Sequence, residues 1–243
     1  MGHWYQNYYG ATYAAFLAGK LSEEQSRQEV ASILDLTGIE PPARIADIGC
    51  GHGRHAIELA RRGFQVTGID INEAFIQQGQ RAAGDLPIRL LSGDMRTAVS
   101  GPYDLVLSLF NSFGFFDDRD NRRVIQAWRG EMVTGALLVM DLWNRDRMIR
   151  HFQPLRESTQ NGIHLQEHSR FDPRSEWVFK HYRYTLRDGS EETYEARFRL
   201  YTVHEICQLL QSERLAVEAV HGDLKGSPYT SDTPRQVVVA RAV

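Results

Sequence analysis

Three glycines at alternate positions, Gly49, Gly51 and Gly53, are followed by a carboxylate, Asp70, one short helix and one short strand further on. The chemistry that such residues can do is recognition rather than bond breaking. A glycine has no Cβ, so the backbone can turn sharply there and come close to a bound molecule. A carboxylate at the carboxyl end of a strand projects into the crevice where open α/β sheets take their ligands, and it can accept hydrogen bonds from two ribose hydroxyls. Together these residues point to a ligand that contains adenosine, without saying which one.

The elements that must position them are legible around the glycines. A strand runs through Ile45 and Ile48, and Pro41-Pro42 punctuates its start. A helix is expected from Arg54 to Arg62, with Gly63 at its C-terminal cap. A second strand ends at Asp70. Strand, crossover helix and strand make a βαβ unit, which implies a parallel sheet and a right-handed crossover.

The register narrows the ligand. A dinucleotide fingerprint needs G-x-G-x-x-G with a helix N-terminus aimed at a pyrophosphate. Here Arg54 occupies the position of the third glycine, and no G-x-x-x-x-G-K-[ST] string occurs. The Asp47-x-Gly49-x-Gly51-x-Gly53 pattern resembles motif I of the class I S-adenosylmethionine-dependent methyltransferases, whose ligand has ribose and adenine but no phosphate. A nucleotide-dependent (NAD-type) oxidoreductase is the alternative from another class, and a sheet-based binding or assembly module with a vestigial site is a third.

The resemblance implies a Rossmann-like, doubly wound, mostly parallel sheet of seven strands in the order 3-2-1-4-5-7-6, the last strand antiparallel. It implies S-adenosylmethionine as cofactor. The contacts it assigns lie at Asp47, Gly49, Cys50, Gly51 and Gly53 in the turn, Asp70 and Ile71 after the second strand, and Gly93, Asp94 and Met95 after the third. Asp94 would accept from the adenine amino group while Met95 packs on the ring; a surface turn is the competing account of Gly93-Asp94. Tyr9 and Tyr13 match the Tyr-x-x-x-Tyr segment that closes over the cofactor in many small-molecule methyltransferases, although an aromatic stripe packed on the sheet explains the same spacing.

Tyr103–Phe110 is apolar enough to be a strand buried on both faces. It runs into the Asn111–Phe116 loop, where the family places motif IV at the methyl end of the cofactor, and the resemblance assigns cofactor contacts to Leu109, Phe110 and Asn111. Adenine-N6 and glutamine methyltransferases carry Asp/Asn-Pro-Pro-Tyr at this point. Here the chain reads Asn111-Ser112-Phe113-Gly114-Phe115-Phe116, similar to the small-molecule branch. RNA or protein methylation remains the alternative within the family.

Further along, helices are expected over Glu23–Leu36, Asn72–Ala83, Asp120–Val133 and Thr202–Gln211, and strands over Ile88–Leu91, Ala136–Asp141, Ala216–His221 and Gln236–Ala240. Ile163–Phe171, Trp177–Leu186 and Glu192–Leu200 alternate as strands, with turns at Asp172–Ser175 and Arg187–Ser190. The chain thus divides into an N-terminal helical lid (1–40), a cofactor-binding core (41–147), an inserted antiparallel meander (148–200) and the end of the core sheet (201–243). The meander is expected to roof the acceptor site, to make a homodimer contact, or both. His168 and His181 are the candidate bases, and Phe113, Phe116, Arg199 and Tyr201 the candidate acceptor contacts.

Composition limits the remaining classes. The 243 residues carry a formal net charge of −3, with 42% hydrophobic and 24% charged residues. That balance argues against a large basic surface for nucleic acid and for a small-molecule acceptor. Cys50 and Cys207 lie far apart without metal-ligand spacing, so neither zinc nor a disulfide framework is expected, and no metal site is signalled. The aromatic, polar N-terminus lacks a signal-peptide pattern and no apolar run is long enough to span a bilayer, which makes the cytoplasm the expected location.

Overall fold

Strand β1 (Arg44–Ile48) buries every residue from Ile45 onward, and it lies inside a seven-stranded sheet. The computed structural model describes Tyr5 and residues 10–17, 22–97 and 100–243. Before β1 come α1 (Ala11–Leu17) and α2 (Glu23–Thr37). After it, α3 (Arg54–Arg61), β2 (Gln65–Asp70), α4 (Glu73–Ala83), β3 (Ile88–Ser92), β4 (Tyr103–Ser108), α5 (Asp118–Gly130) and β5 (Met132–Trp143) alternate along the chain. Next, α6 (Arg145–Arg150) leads into β6 (Leu155–Gln160), β7 (Ile163–Asp172), β8 (Trp177–Thr185) and β9 (Glu191–Arg199). The chain closes with α7 (Val203–Ser212), β10 (Leu215–His221) and β11 (Arg235–Ala242).

The large sheet has the order β3-β2-β1-β4-β5-β11-β10, with β11 antiparallel to both its neighbours. Counted within the sheet this is 3-2-1-4-5-7-6, as the resemblance implied. Its central strands face apolar neighbours on both sides, because alternate residues point to opposite faces. Ile45, Leu105, Leu107 and Val139 pack with Val30 and Ile33 of α2 and Leu59 of α3. Ala46, Val106, Leu138 and Met140 pack with Val124 and Trp128 of α5 and Ile206 of α7. Side-chain caps set the helix starts: Ser22 accepts from the Gln25 N–H, Asn72 from the Phe75 N–H, and Thr202 and Glu205 form a capping box.

Two differences from the sequence reading have local causes. Helix α5 ends at Gly130 rather than Val133, and β5 begins at Met132; the apolar residues that continue the helical pattern belong to the next strand. The meander has four strands, β6-β7-β8-β9, rather than three. Strand β6 is an edge strand whose residues are nearly all exposed, so it carries no alternation to read.

Helix α1 is fastened to this second sheet. Thr12 Oγ1 donates to Glu192 Oε2 at 2.5 Å, Asn161 Nδ2 donates to the Ala15 carbonyl at 3.0 Å, and Phe16 meets Tyr184 edge-on at 5.7 Å.

Candidate functional site

A cavity of about 630 Å³ opens at the carboxyl ends of β1, β2 and β4. The glycine turn forms part of its floor. The N–H groups of Gly49 and Cys50 both reach the Ile69 carbonyl, at 2.8 and 3.0 Å, which ties the turn to β2. Gly49 has a φ of +73°, and a Cβ there would sit 2.6 Å from Ser112 Cβ. Only glycine fits both demands. Ser112 Oγ donates to the Gly49 carbonyl at 3.2 Å and to that of Leu109 at 2.7 Å, so this close approach joins the turn to the loop after β4. Gly53 has the left-handed backbone that starts α3, but its missing Cβ makes room for Leu90 and it does not line the cavity. Its role is packing.

Asp70 lines the cavity with a carboxylate that the backbone orients. Oδ2 accepts from the Gly51 N–H at 2.8 Å and Oδ1 from the Asn72 N–H at 2.9 Å. Burial raises its pKa, and these amide hydrogen bonds oppose the rise. Asp47 also lines the cavity, 1% exposed, and its Oδ2 has no hydrogen-bond partner. Burial is the main force that pushes its pKa up to about 7; the Arg54 charge pulls down and Asp70 adds to the rise. A buried carboxylate with an unpartnered oxygen suits a cationic ligand group.

Beside it stands a cluster that the sequence reading missed. Arg54 and His55, in the first turn of α3, both bond Glu29 on α2; the His55 Nε2 contact is 2.8 Å. Burial raises the Glu29 pKa, but the His55 hydrogen bond and the Arg54 charge outweigh it and hold the group at about 2. Burial holds His55 below its usual range and therefore neutral. The only local signal for this cluster is the Arg-His pair directly after the turn. Its partner lies 25 residues away in sequence from Arg54.

The upper walls are aromatic. Tyr13, Leu109, Phe110 and Phe116 line the cavity, together with Tyr5, which meets Phe116 edge-on at 5.4 Å. Burial pushes the Tyr13 phenol up to about 12, so it stays protonated. Cys50, Gly51, Ile71, Gly93, Asp94 and Met95 line the cavity as well. Asp94 is engaged by Arg96, whose Nη2 reaches Oδ2 at 2.6 Å and whose backbone N–H reaches Oδ1 at 2.9 Å. Burial raises the Cys50 thiol well above its ordinary range, so it remains a thiol. Tyr9 lies outside the described residues.

Several candidates stand elsewhere. Asn111 is buried and its Oδ1 accepts from the Trp143 N–H at 2.9 Å. Phe113 is 2% exposed, packed between Trp128 and Tyr201. Tyr201 is buried too, with its hydroxyl 2.9 Å from Asn121 Nδ2 and 3.0 Å from Asp118 Oδ1. Arg199 pairs with Asp118 and Glu205. None of these four lines the cavity. His168 and His181 face each other across β7 and β8 with ring centroids 6.5 Å apart, and they line a separate depression with Arg170, Phe179 and Arg197. The register places them on the face of the meander opposite buried Leu165, Tyr182 and Tyr184, and they do not line the cavity. Among the described residues, no group of three or more His, Cys, Asp or Glu is placed to hold a metal ion, and no helix is long and apolar enough to cross a membrane.

Residues 45–133 match the family model described as a methyltransferase domain. The uncharacterized methyltransferase Mb0092 of Mycobacterium bovis is 38% identical over 98 residues, 40% of this chain and 48% of that protein. The chain thus spans about half or less of the curated methyltransferases it matches. Among solved structures, the CcbJ methyltransferase from Streptomyces caelestis superposes with a TM-score of 0.83 at 18% identity, covering 97% of this chain and 98% of that one. CalS10, an amino pentose methyltransferase from Micromonospora echinaspora solved with S-adenosylmethionine bound, gives 0.71 at 22% identity over 98% and 99%. Residues 45–133 thus match a methyltransferase domain, and the sheet order and glycine turn give the chain the fold of these solved S-adenosylmethionine-dependent methyltransferases.

Proposed function

We propose that the chain moves the methyl group of S-adenosylmethionine to a small-molecule acceptor. One observation carries this reading: a single cavity holds Asp70, oriented by the amides of Gly51 and Asn72, and the buried carboxylate of Asp47 with its unpartnered Oδ2, beneath an aromatic wall. Asp70 suits ribose hydroxyls, and Asp47 suits the cationic end of the cofactor. When bound, S-adenosylmethionine supplies a methyl group already activated on a sulfonium, so the protein needs to position reactants and exclude water.

The residues present do that work. Tyr5, Tyr13, Phe110 and Phe116 keep the cavity apolar where the acceptor must enter. Gly49 and Ser112 hold the loop after β4 against the glycine turn. Neutral His55, oriented by Glu29, is the cavity histidine next to Phe110, 5.9 Å away between ring centroids. His168 and His181 do not line this cavity, and in this reading the meander supports the site through α1, whose Tyr13 and Leu17 line it.

A small acceptor is supported by the dimensions and aromatic lining of the cavity, by the net charge of −3 and by the absence of Asp/Asn-Pro-Pro-Tyr after β4. The fold shared with CalS10, an amino pentose methyltransferase, agrees with it. The test is calorimetric titration with S-adenosylmethionine and S-adenosylhomocysteine, followed by incubation of methyl-labelled cofactor with metabolite extract and, separately, with total RNA. Saturable binding of both compounds and label in a small molecule are expected. Label in RNA would overturn the acceptor class. Binding of NAD without S-adenosylmethionine would overturn the reaction.

A further inference from the structure

Just after β4 the backbone takes the left-handed conformation twice in succession on residues with side chains, at φ +55° for Phe110 and +64° for Asn111. In that region Cβ crowds the carbonyl oxygen; asparagine tolerates it better than most residues, and a bulky phenylalanine does not. Such a conformation persists where the surroundings over-determine it. Here they do so through Asp141, near the end of β5.

Asp141 Oδ2 accepts from the Phe110 N–H at 3.0 Å, and its main-chain carbonyl accepts from the Asn111 N–H at 2.8 Å. Asp141 is itself fixed. It is 2% exposed, Oδ1 accepts from Arg235 Nε at 2.5 Å, and Arg235 Nη2 reaches the Asp141 carbonyl at 3.0 Å. The effect on the ring is large. Leu109 and Asn111 are buried, whereas Phe110 is 47% exposed and lines the cavity. The guanidinium carbons of Arg54 and Arg235 lie 4.4 and 5.8 Å from its centroid. Both cations already have carboxylate partners, Glu29 and Asp141, so the ring meets the cavity as an apolar surface.

We propose that Asp141 is a positioning residue: by clamping the Phe110–Asn111 turn it presents the Phe110 ring as the wall between the cofactor and acceptor ends of the cavity. The inference rests on the methyltransferase reading above. An ion pair that merely ties β5 to β11 would stabilise the fold without coupling to Phe110.

That difference can be measured on the full chain with S-adenosylhomocysteine as the probe. Asp141→Ala and Phe110→Ala should each weaken binding roughly tenfold, the scale of losing one charge-assisted hydrogen bond. The double variant should bind no more weakly than Phe110→Ala alone, because both changes remove the same wall. If Asp141→Ala does not fold, Asp141→Asn serves: its amide has one oxygen for two donors, so binding should weaken less, again without adding to Phe110→Ala. Additive effects, or a lower melting temperature with parent-like affinity, would overturn the positioning role. Failure of the unmodified chain to bind S-adenosylhomocysteine would instead overturn the reading beneath it.

Discussion

The Gly51 N–H and Asp70 Oδ2 lie 2.8 Å apart and tie the turn after β1 to the tip of β2. One carboxylate therefore shapes the turn and offers its remaining lone pairs to the cavity. Asp70→Ala should lower S-adenosylmethionine affinity by about 1.5–3 kcal/mol, roughly tenfold to a hundredfold, as expected for hydrogen bonds to a charged acceptor. Calorimetry measures this directly. An unchanged affinity would remove Asp70 from the ligand contacts.

Asp47 predicts a pH dependence. Its folded pKa of about 7 lies above the ordinary 3.8, so the protonated form is favoured in the folded protein. Its contribution to stability is present in full below that ordinary value and is lost as pH rises through about 7. A cation bound beside Asp47 favours the carboxylate, so binding should release a proton and tighten between about pH 6 and 8. Titrations in buffers of different ionisation heat report the proton. Asp47→Asn should abolish both effects, and a pH-independent affinity in the parent would contradict the assignment.

The core was legible because its signals are local. The alternate glycines, the flanking apolar runs and the caps at Ser22, Asn72 and Thr202 each sit within a few residues of what they determine. Spacing alone did not say which way a glycine faces, so Gly53 read as a ligand contact although it accommodates Leu90. The Glu29–Arg54–His55 cluster was hidden because it joins two helices far apart in sequence. His168 and His181 fall outside the cavity for another reason. Alternation puts them opposite Leu165, Tyr182 and Tyr184, and the burial of those residues turns the histidines away from the core.

Replacing His168 or His181 with alanine should therefore leave S-adenosylhomocysteine affinity unchanged, and methyl transfer to any acceptor found should proceed at the parental rate. Single-turnover assays with labelled cofactor would show it. A large loss of transfer would mean that the acceptor reaches the depression between β7 and β8.

Tyr201 is linked to the cavity-lining Phe116 through Asn121. Its hydroxyl holds Asn121 Nδ2, which also donates to the Phe116 carbonyl at 2.6 Å. Tyr201→Phe should cost about 1–3 kcal/mol of stability in denaturant unfolding, the price of leaving buried polar groups short of a partner. The affinity for S-adenosylhomocysteine should change little. A strong loss of affinity without loss of stability would return Tyr201 to the ligand contacts.

The last prediction concerns α1. Its Tyr13 and Leu17 line the cavity, and Thr12 anchors it to the second sheet through Glu192. Glu192 Oε2 also accepts from the Tyr194 hydroxyl at 2.5 Å, and the hydrogen bonds from Thr12 and Tyr194 hold the Glu192 carboxyl below its ordinary pKa. Hydrogen bonds to a carboxylate are stronger than those between neutral groups. Glu192→Gln keeps the size of the side chain and removes the charge, and Thr12→Val removes the donor. If α1 opens to exchange the cofactor, either change should speed dissociation of labelled S-adenosylhomocysteine severalfold, and the two together should do no more than one alone. Displacement kinetics with excess unlabelled compound separate this from simple packing. A lower melting temperature with an unchanged dissociation rate would make α1 a structural strut, and the cofactor would then have to leave by another face of the cavity.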